Sequence, residues 1–108
     1  MSAAEALHPR VTLGPLAAIP LGEGRTFLVD GRRLAVFRGR DGALFATQAE
    51  CPHKGGPLAD GLLGSGTLIC PLHSLKFDLT TGKALNSDCS LRTYAVSLSD
   101  NGQLLVEL

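Results

Sequence analysis

Two short segments of this chain each place a cysteine and a histidine beside a proline. They are Cys51-Pro52-His53 and Cys70-Pro71-Leu72-His73, and sixteen residues separate His53 from Cys70. Thiolates and imidazoles are the protein groups that bind zinc and iron–sulfur centres. Since four such residues are improbable as unrelated core side chains, we expect the fold to bring the two segments together at one metal centre.

Length and charge exclude several classes of protein. The chain has 108 residues, which suits a single domain over residues 1–108. Ten Lys and Arg balance ten Asp and Glu, so nothing favours binding to nucleic acid or to an anionic membrane. No apolar run approaches the roughly 20 residues of a membrane span, and residues 1–7 lack the features of a signal peptide. We therefore expect a cytoplasmic protein.

The three cysteines do not suggest a disulfide framework. Two of them belong to the cysteine–histidine segments, and the third, Cys89, has no partner left in the sequence. We interpret Cys89 as a small buried hydrophobic residue.

Turn signals and short apolar segments predict an all-β protein. Asp30-Gly31, Asp41-Gly42 and Asn101-Gly102 are hairpin dipeptides. The only segment with a helical pattern is residues 2–7. The pattern predicts a small metal-binding subdomain over about residues 48–78, held on a base formed by both ends of the chain. The predicted strands cover residues 25–29, 32–37, 43–47, 67–70, 75–78, 91–98 and 103–108.

The residue types alone leave two kinds of metal site open. Two cysteines and two histidines are a common tetrahedral zinc set, which would make the chain a zinc-stabilised interaction module. The short Cys–His spacings, the two Cys-Pro loops and the Gly55-Gly56 pair after His53 instead favour an iron–sulfur site.

The two segments and their surroundings resemble the cluster-binding boxes of single-domain Rieske proteins. The first box is Cys51-Pro52-His53-Lys54-Gly55-Gly56-Pro57-Leu58-Ala59-Asp60-Gly61, and the second is Cys70-Pro71-Leu72-His73-Ser74-Leu75-Lys76-Phe77-Asp78. The resemblance implies an antiparallel β sandwich with a partly open barrel and one Rieske-type [2Fe–2S] cluster per chain. Cys51 and Cys70 would then ligate the inner iron, and His53 and His73 the outer iron.

This ligand set has an electrostatic consequence. Four thiolates would leave an oxidised [2Fe–2S] cluster at net charge −2, whereas two neutral imidazoles bring it to zero, so an electron is added at lower cost. Rieske centres accordingly have potentials of roughly −150 to +300 mV. Rieske subunits of cytochrome bc complexes carry two extra cysteines that bridge the cluster loops. This chain has glycine and Leu72 at the matching positions, and we predict a potential near the lower end of the range.

Two branches of the family match the chain. Its length and the segment Ala84-Leu85-Asn86-Ser87-Asp88-Cys89-Ser90-Leu91-Arg92-Thr93-Tyr94 resemble the small subunit of NAD(P)H-dependent assimilatory nitrite reductase, and we favour this branch. The implied partner is the large siroheme and flavin subunit that reduces nitrite to ammonium. The alternative is the ferredoxin of an aromatic-ring dioxygenase, with a flavin reductase and an oxygenase as partners. Either protein carries electrons and performs no catalysis alone, and the rim around His53 and His73 is the expected docking face.

Overall fold

The computed structural model describes residues 10–52, 55–71 and 75–108. Within these ranges the chain forms ten β-strands and two 3₁₀ turns, Leu16–Ala18 and Leu58–Asp60. This part of the chain contains no helix with the length and apolar character that crossing a bilayer requires. The predicted helix over residues 2–7 lies outside the described residues.

The strands are β1 (Arg10–Pro15), β2 (Gly24–Val29), β3 (Arg32–Arg38), β4 (Leu44–Gln48), β5 (Leu62–Gly64), β6 (Thr67–Ile69), β7 (Lys76–Asp78), β8 (Thr93–Tyr94), β9 (Val96–Leu98) and β10 (Gln103–Glu107).

The strands form three antiparallel sheets. Their orders are β1-β10-β9, β2-β3-β4-β8 and β5-β6-β7. The first sheet joins the two ends of the described chain, because β1 pairs with β10 from Arg10 opposite Glu107 to Pro15 opposite Gln103. The all-β fold predicted from the sequence is confirmed.

Strand β3 lies between two hydrophobic cores because its apolar residues are consecutive. Leu34 and Val36 point into one core, while Ala35 and Phe37 point into the other. A strand with both faces buried needs such an uninterrupted apolar run. We call the first the base core, formed by Ile19, Val29, Leu34, Val36, Ala46, Leu104 and Val106. We call the second the cysteine core, formed by Ala35, Phe37, Cys51, Leu58, Leu68, Cys70, Phe77, Leu79 and Leu91.

The hairpin between β2 and β3 turns at the predicted Asp30-Gly31 dipeptide. Both residues have left-handed backbone, with φ of 50° and 79°. Two consecutive positive φ values are the condition for a type I′ turn, whose twist matches that of the paired strands. Asp41-Gly42 and Asn101-Gly102 likewise fall between β3 and β4 and between β9 and β10.

Six of the seven predicted strands agree with the structure to within one residue at each end. The prediction of one strand over residues 91–98 is wrong. The structure divides that segment into β8, which pairs with β4, and β9, which pairs with β10. Between them the Ala95 carbonyl accepts a hydrogen bond from Glu107 N–H at 2.9 Å, so the chain changes sheets at this residue. Leu98, the last residue of β9, is 44% exposed.

Two observed strands have no counterpart in the prediction. Strand β1 contains Gly14 and ends at Pro15, and β5 has only three residues and ends in Gly64. The sheet β5-β6-β7 lies within residues 48–78, the segment predicted to form a metal-binding subdomain. That this segment binds a metal remains a prediction.

Candidate metal centre

The first cysteine loop leaves the end of β4 and is closed by backbone hydrogen bonds. Cys51 N–H donates to the Gly56 carbonyl, and Gly55 N–H donates back to the Cys51 carbonyl, both at 2.8 Å. Gly55 has a φ of 76°, in the left-handed region that favours glycine. The Gly55-Gly56 pair therefore allows this loop to close tightly.

The second cysteine loop connects β6 to β7 in the same manner. Cys70 follows the last residue of β6, and its N–H donates to the Leu75 carbonyl at 2.8 Å. Lys76 then begins β7. In both loops the cysteine N–H thus bonds to the carbonyl of the fifth residue after it, so the two loops have the same backbone closure.

Both cysteines are buried in the cysteine core. Cys51 is 2% exposed and Cys70 is 1% exposed, and they share this core with Leu58, Leu68 and Phe77. A thiolate buried among apolar side chains is costly unless a cation binds it. Two thiols buried in one core therefore fit the pair of sulfur ligands predicted from the sequence.

The two predicted histidine ligands lie outside the described residues, in the gaps 53–54 and 72–74. Each gap falls within one of the two closed loops. The assignment of His53 and His73 as ligands remains a prediction, and so does the complete ligand set.

A close backbone contact brings the end of the first loop against the second. Gly61 follows the 3₁₀ turn Leu58–Asp60, and a Cβ atom built on it would overlap the carbonyl oxygen of Ile69. Ile69 directly precedes Cys70. Glycine at position 61 therefore allows the two cysteine loops to pack together.

Gln48 links the first loop to Arg92, the residue that precedes strand β8. Its side-chain Nε2 donates to the Glu50 carbonyl at 2.8 Å, and its Oε1 accepts from Arg92 N–H at 2.8 Å. Its own N–H also donates to the Arg92 carbonyl, at 3.0 Å. Sequence reasoning missed this residue, because a glutamine at a strand end has no pattern that reveals a contact 44 residues away.

Two other side chains near the loops have smaller roles. Arg33 and Glu50 form an ion pair of 3.3 Å, but both side chains are substantially exposed. Cys89 packs against the cysteine core, but it is half-buried rather than buried as predicted.

The fold and the paired loops define a small all-β protein in which two cysteine loops meet in one core. Residues 10–95 match the family model of the Rieske [2Fe-2S] domain, and the chain belongs to this family. It is accordingly a Rieske electron-transfer protein whose cofactor is a [2Fe–2S] cluster. The family favours this cluster over the zinc site that the ligand types left open. The buried thiols of Cys51 and Cys70 fit it, because one of its irons takes two sulfur ligands from the protein.

Among curated proteins the chain is similar to the ferredoxin component of a naphthalene 1,2-dioxygenase system from Pseudomonas aeruginosa. The two are 32% identical over 95 residues, which cover 86% of this chain and 89% of the relative.

Solved structures of two kinds share the fold. A protein from Mycobacterium tuberculosis described as the small subunit of an NADH-dependent nitrite reductase superposes with a TM-score of 0.87, covering 94% of this chain and 96% of the other. Its identity of 23% shows the fold alone. A second protein, described as the small subunit of an NADPH nitrite reductase, has a TM-score of 0.81 at 27% identity, covering 91% and 97%. The ferredoxin of carbazole 1,9a-dioxygenase from Nocardioides aromaticivorans has a TM-score of 0.79 at 30% identity, covering 90% and 95%.

Proposed function

We propose that this chain is the ferredoxin component of a multicomponent aromatic-ring dioxygenase. The observation that carries the proposal is the 32% identity with a dioxygenase ferredoxin over almost the full length of both chains. The sequence alone favoured a nitrite reductase small subunit, and the curated relative moves the balance to the ferredoxin. In this role the chain takes one electron at a time from a flavin reductase and passes it to an oxygenase.

We further propose that Cys51 and Cys70 hold the inner iron and that His53 and His73 hold the outer iron. The burial of both cysteines in one core supports the inner pair. The equal closure of the two loops supports the outer pair, because each loop carries one histidine two or three residues after its cysteine. When bound, the cluster supplies reversible one-electron chemistry, and the cysteine core keeps water from the sulfur ligands.

A second candidate is the small subunit of an NAD(P)H nitrite reductase. It is favoured by the 27% identity with a protein of that description over 91% of this chain. The segment from Ala84 to Tyr94 also resembles that subunit family. The partner would then be a large subunit with siroheme and flavin.

Stopped-flow mixing of the reduced, cluster-loaded protein separates the two candidates. One acceptor is the purified oxygenase component from the same organism, with aromatic substrate and oxygen, and the other is the siroheme subunit with nitrite. We expect the oxygenase to reoxidise the protein, seen in its visible absorption. If the siroheme subunit reoxidises the protein and the oxygenase does not, the ferredoxin proposal is wrong. A Cys70→Ser variant serves as the control without a cluster.

A further inference from the structure

A row of four residues crosses the outer surface of the sheet β5-β6-β7. Leu62 on β5 lies opposite Ile69 on β6, and Ile69 lies opposite Lys76 on β7. Leu85 continues the row, because its N–H donates to the Lys76 carbonyl at 2.7 Å. We call Leu62, Ile69, Lys76 and Leu85 the outer row. With strands about 4.8 Å apart, it is roughly 14 Å long.

The neighbours of these residues point to the opposite side of the sheet. Leu68 and Phe77 are fully buried in the cysteine core, and Leu63 and Ala84 pack against it. Since side chains alternate along a strand, the outer row faces away from that core.

Three of the four residues of the outer row are apolar. Leu62 is 72% exposed and Leu85 is 61% exposed, while Ile69 is half-buried between them. A single exposed leucine needs no explanation, and Leu28 on β2 is such a case at 73%, paired across the hairpin with Arg33. Here two exposed leucines and the half-buried Ile69 share one sheet face with Lys76, and we interpret this face as a candidate interaction surface.

The outer row adjoins the second cysteine loop on both sides. Ile69 directly precedes Cys70, and Lys76 follows Leu75, whose carbonyl accepts the Cys70 N–H. A protein seated on the row would therefore contact the base of the second cysteine loop.

We propose that the outer row docks the oxygenase, on a surface of the oxygenase that is apolar and carries a carboxylate opposite Lys76. This inference rests on the proposed function. Lys76 is exposed and takes no part in the ion pairs found within the described ranges, so its ammonium group can pair with a carboxylate of the partner. An apolar centre with a charge beside it suits the small, transient interfaces of electron-transfer complexes.

A second copy of this chain is a poorer occupant of the row. A two-fold axis through the row would place Lys76 against an apolar residue of the other copy or against its own counterpart. The outer row itself contains no acidic residue to compensate that charge.

The test compares surface variants of the cluster-loaded protein by titration against the purified oxygenase component. Leu62→Gln and Lys76→Glu alter the row, while Leu28→Gln and Arg32→Glu are matched controls at exposed positions of the β2–β3 hairpin. We expect Leu62→Gln and Lys76→Glu each to raise the Kd at least about tenfold. The controls should stay within about twofold, and all four variants should keep the visible spectrum of the wild type.

The outcomes separate this inference from the proposed function. If the wild-type protein fails to bind the oxygenase, the ferredoxin proposal itself is wrong. If the wild type binds and the row variants bind equally well, only the docking inference is overturned. Sedimentation velocity on the free protein tests whether the outer row instead binds a second copy of this chain. If the wild type self-associates and Leu62→Gln is monomeric, the row belongs to that self-association and the docking inference is refuted.

Discussion

Replacing Gly61 with alanine tests whether the close approach of the two cysteine loops stabilises the protein. Gly61 has an extended backbone, with φ of −72° and ψ of 170°, which alanine adopts without strain. On conformational entropy alone the change would stabilise the fold by up to about 1 kcal/mol. The added Cβ, however, would overlap the Ile69 carbonyl oxygen and lie 3.0 Å from Leu68 Cδ1.

The net effect follows from these two opposing contributions. Overpacking a well-filled site costs about 1–3 kcal/mol, and here the obstacle is backbone, which cannot rotate away. We therefore expect Gly61→Ala to lower the free energy of unfolding by about 1–2 kcal/mol. For a domain of this size that corresponds to a fall of about 5–15 °C in the thermal midpoint.

Gly64→Ala is the matched control for this measurement. Gly64 lies three residues further along, on β5, and a Cβ built there meets no atom within 4 Å. Thermal unfolding of both cluster-loaded variants is followed by far-UV circular dichroism and by visible absorption at one scan rate. By the same entropy argument, we expect Gly64→Ala to be as stable as the wild type or more stable by up to about 1 kcal/mol. If Gly61→Ala proves as stable as Gly64→Ala, the proposed contact between the loops does not constrain the fold.

Three further predictions concern the loops and their supports. Cys70→Ser should abolish the visible and EPR signals of the cluster, whereas the control variant Cys89→Ser should keep both. An unchanged spectrum in Cys70→Ser would exclude Cys70 as a ligand. Gln48→Ala should lower the free energy of unfolding, measured by urea titration, by about 1–3 kcal/mol, because two side-chain hydrogen bonds are lost. A decrease below about 0.5 kcal/mol would contradict the role of these hydrogen bonds. Arg33→Ala should change stability by less than about 1 kcal/mol, since its ion pair with Glu50 is exposed, and a larger loss in the same titration would show that the pair is more than a surface contact.

The sequence predicted those parts of the fold that depend on local chemistry. The apolar run of β3 and the Asp30-Gly31 turn are encoded by neighbouring residues, so their positions could be predicted closely. The segment around Ala95 could not, because an alternating pattern shows a strand but not which sheet it joins. Strand β5 is stabilised by its pairing with β6 rather than by its own three residues, so it gives no local signal.

The candidate site divides in the same way. Cys51 and Cys70 could be found because their spacing to a histidine is a local pattern with a chemical meaning. The contacts of Gln48 with Arg92 and of Gly61 with Ile69 depend on tertiary packing, and no sequence pattern reveals them.

Pulsed EPR on the reduced protein, grown with ¹⁵N-labelled histidine, tests the central claim most directly. We expect a [2Fe–2S] signal with hyperfine coupling to two histidine nitrogens, one from His53 and one from His73. A cluster with no nitrogen coupling, or a colourless protein that contains one zinc ion, would contradict it.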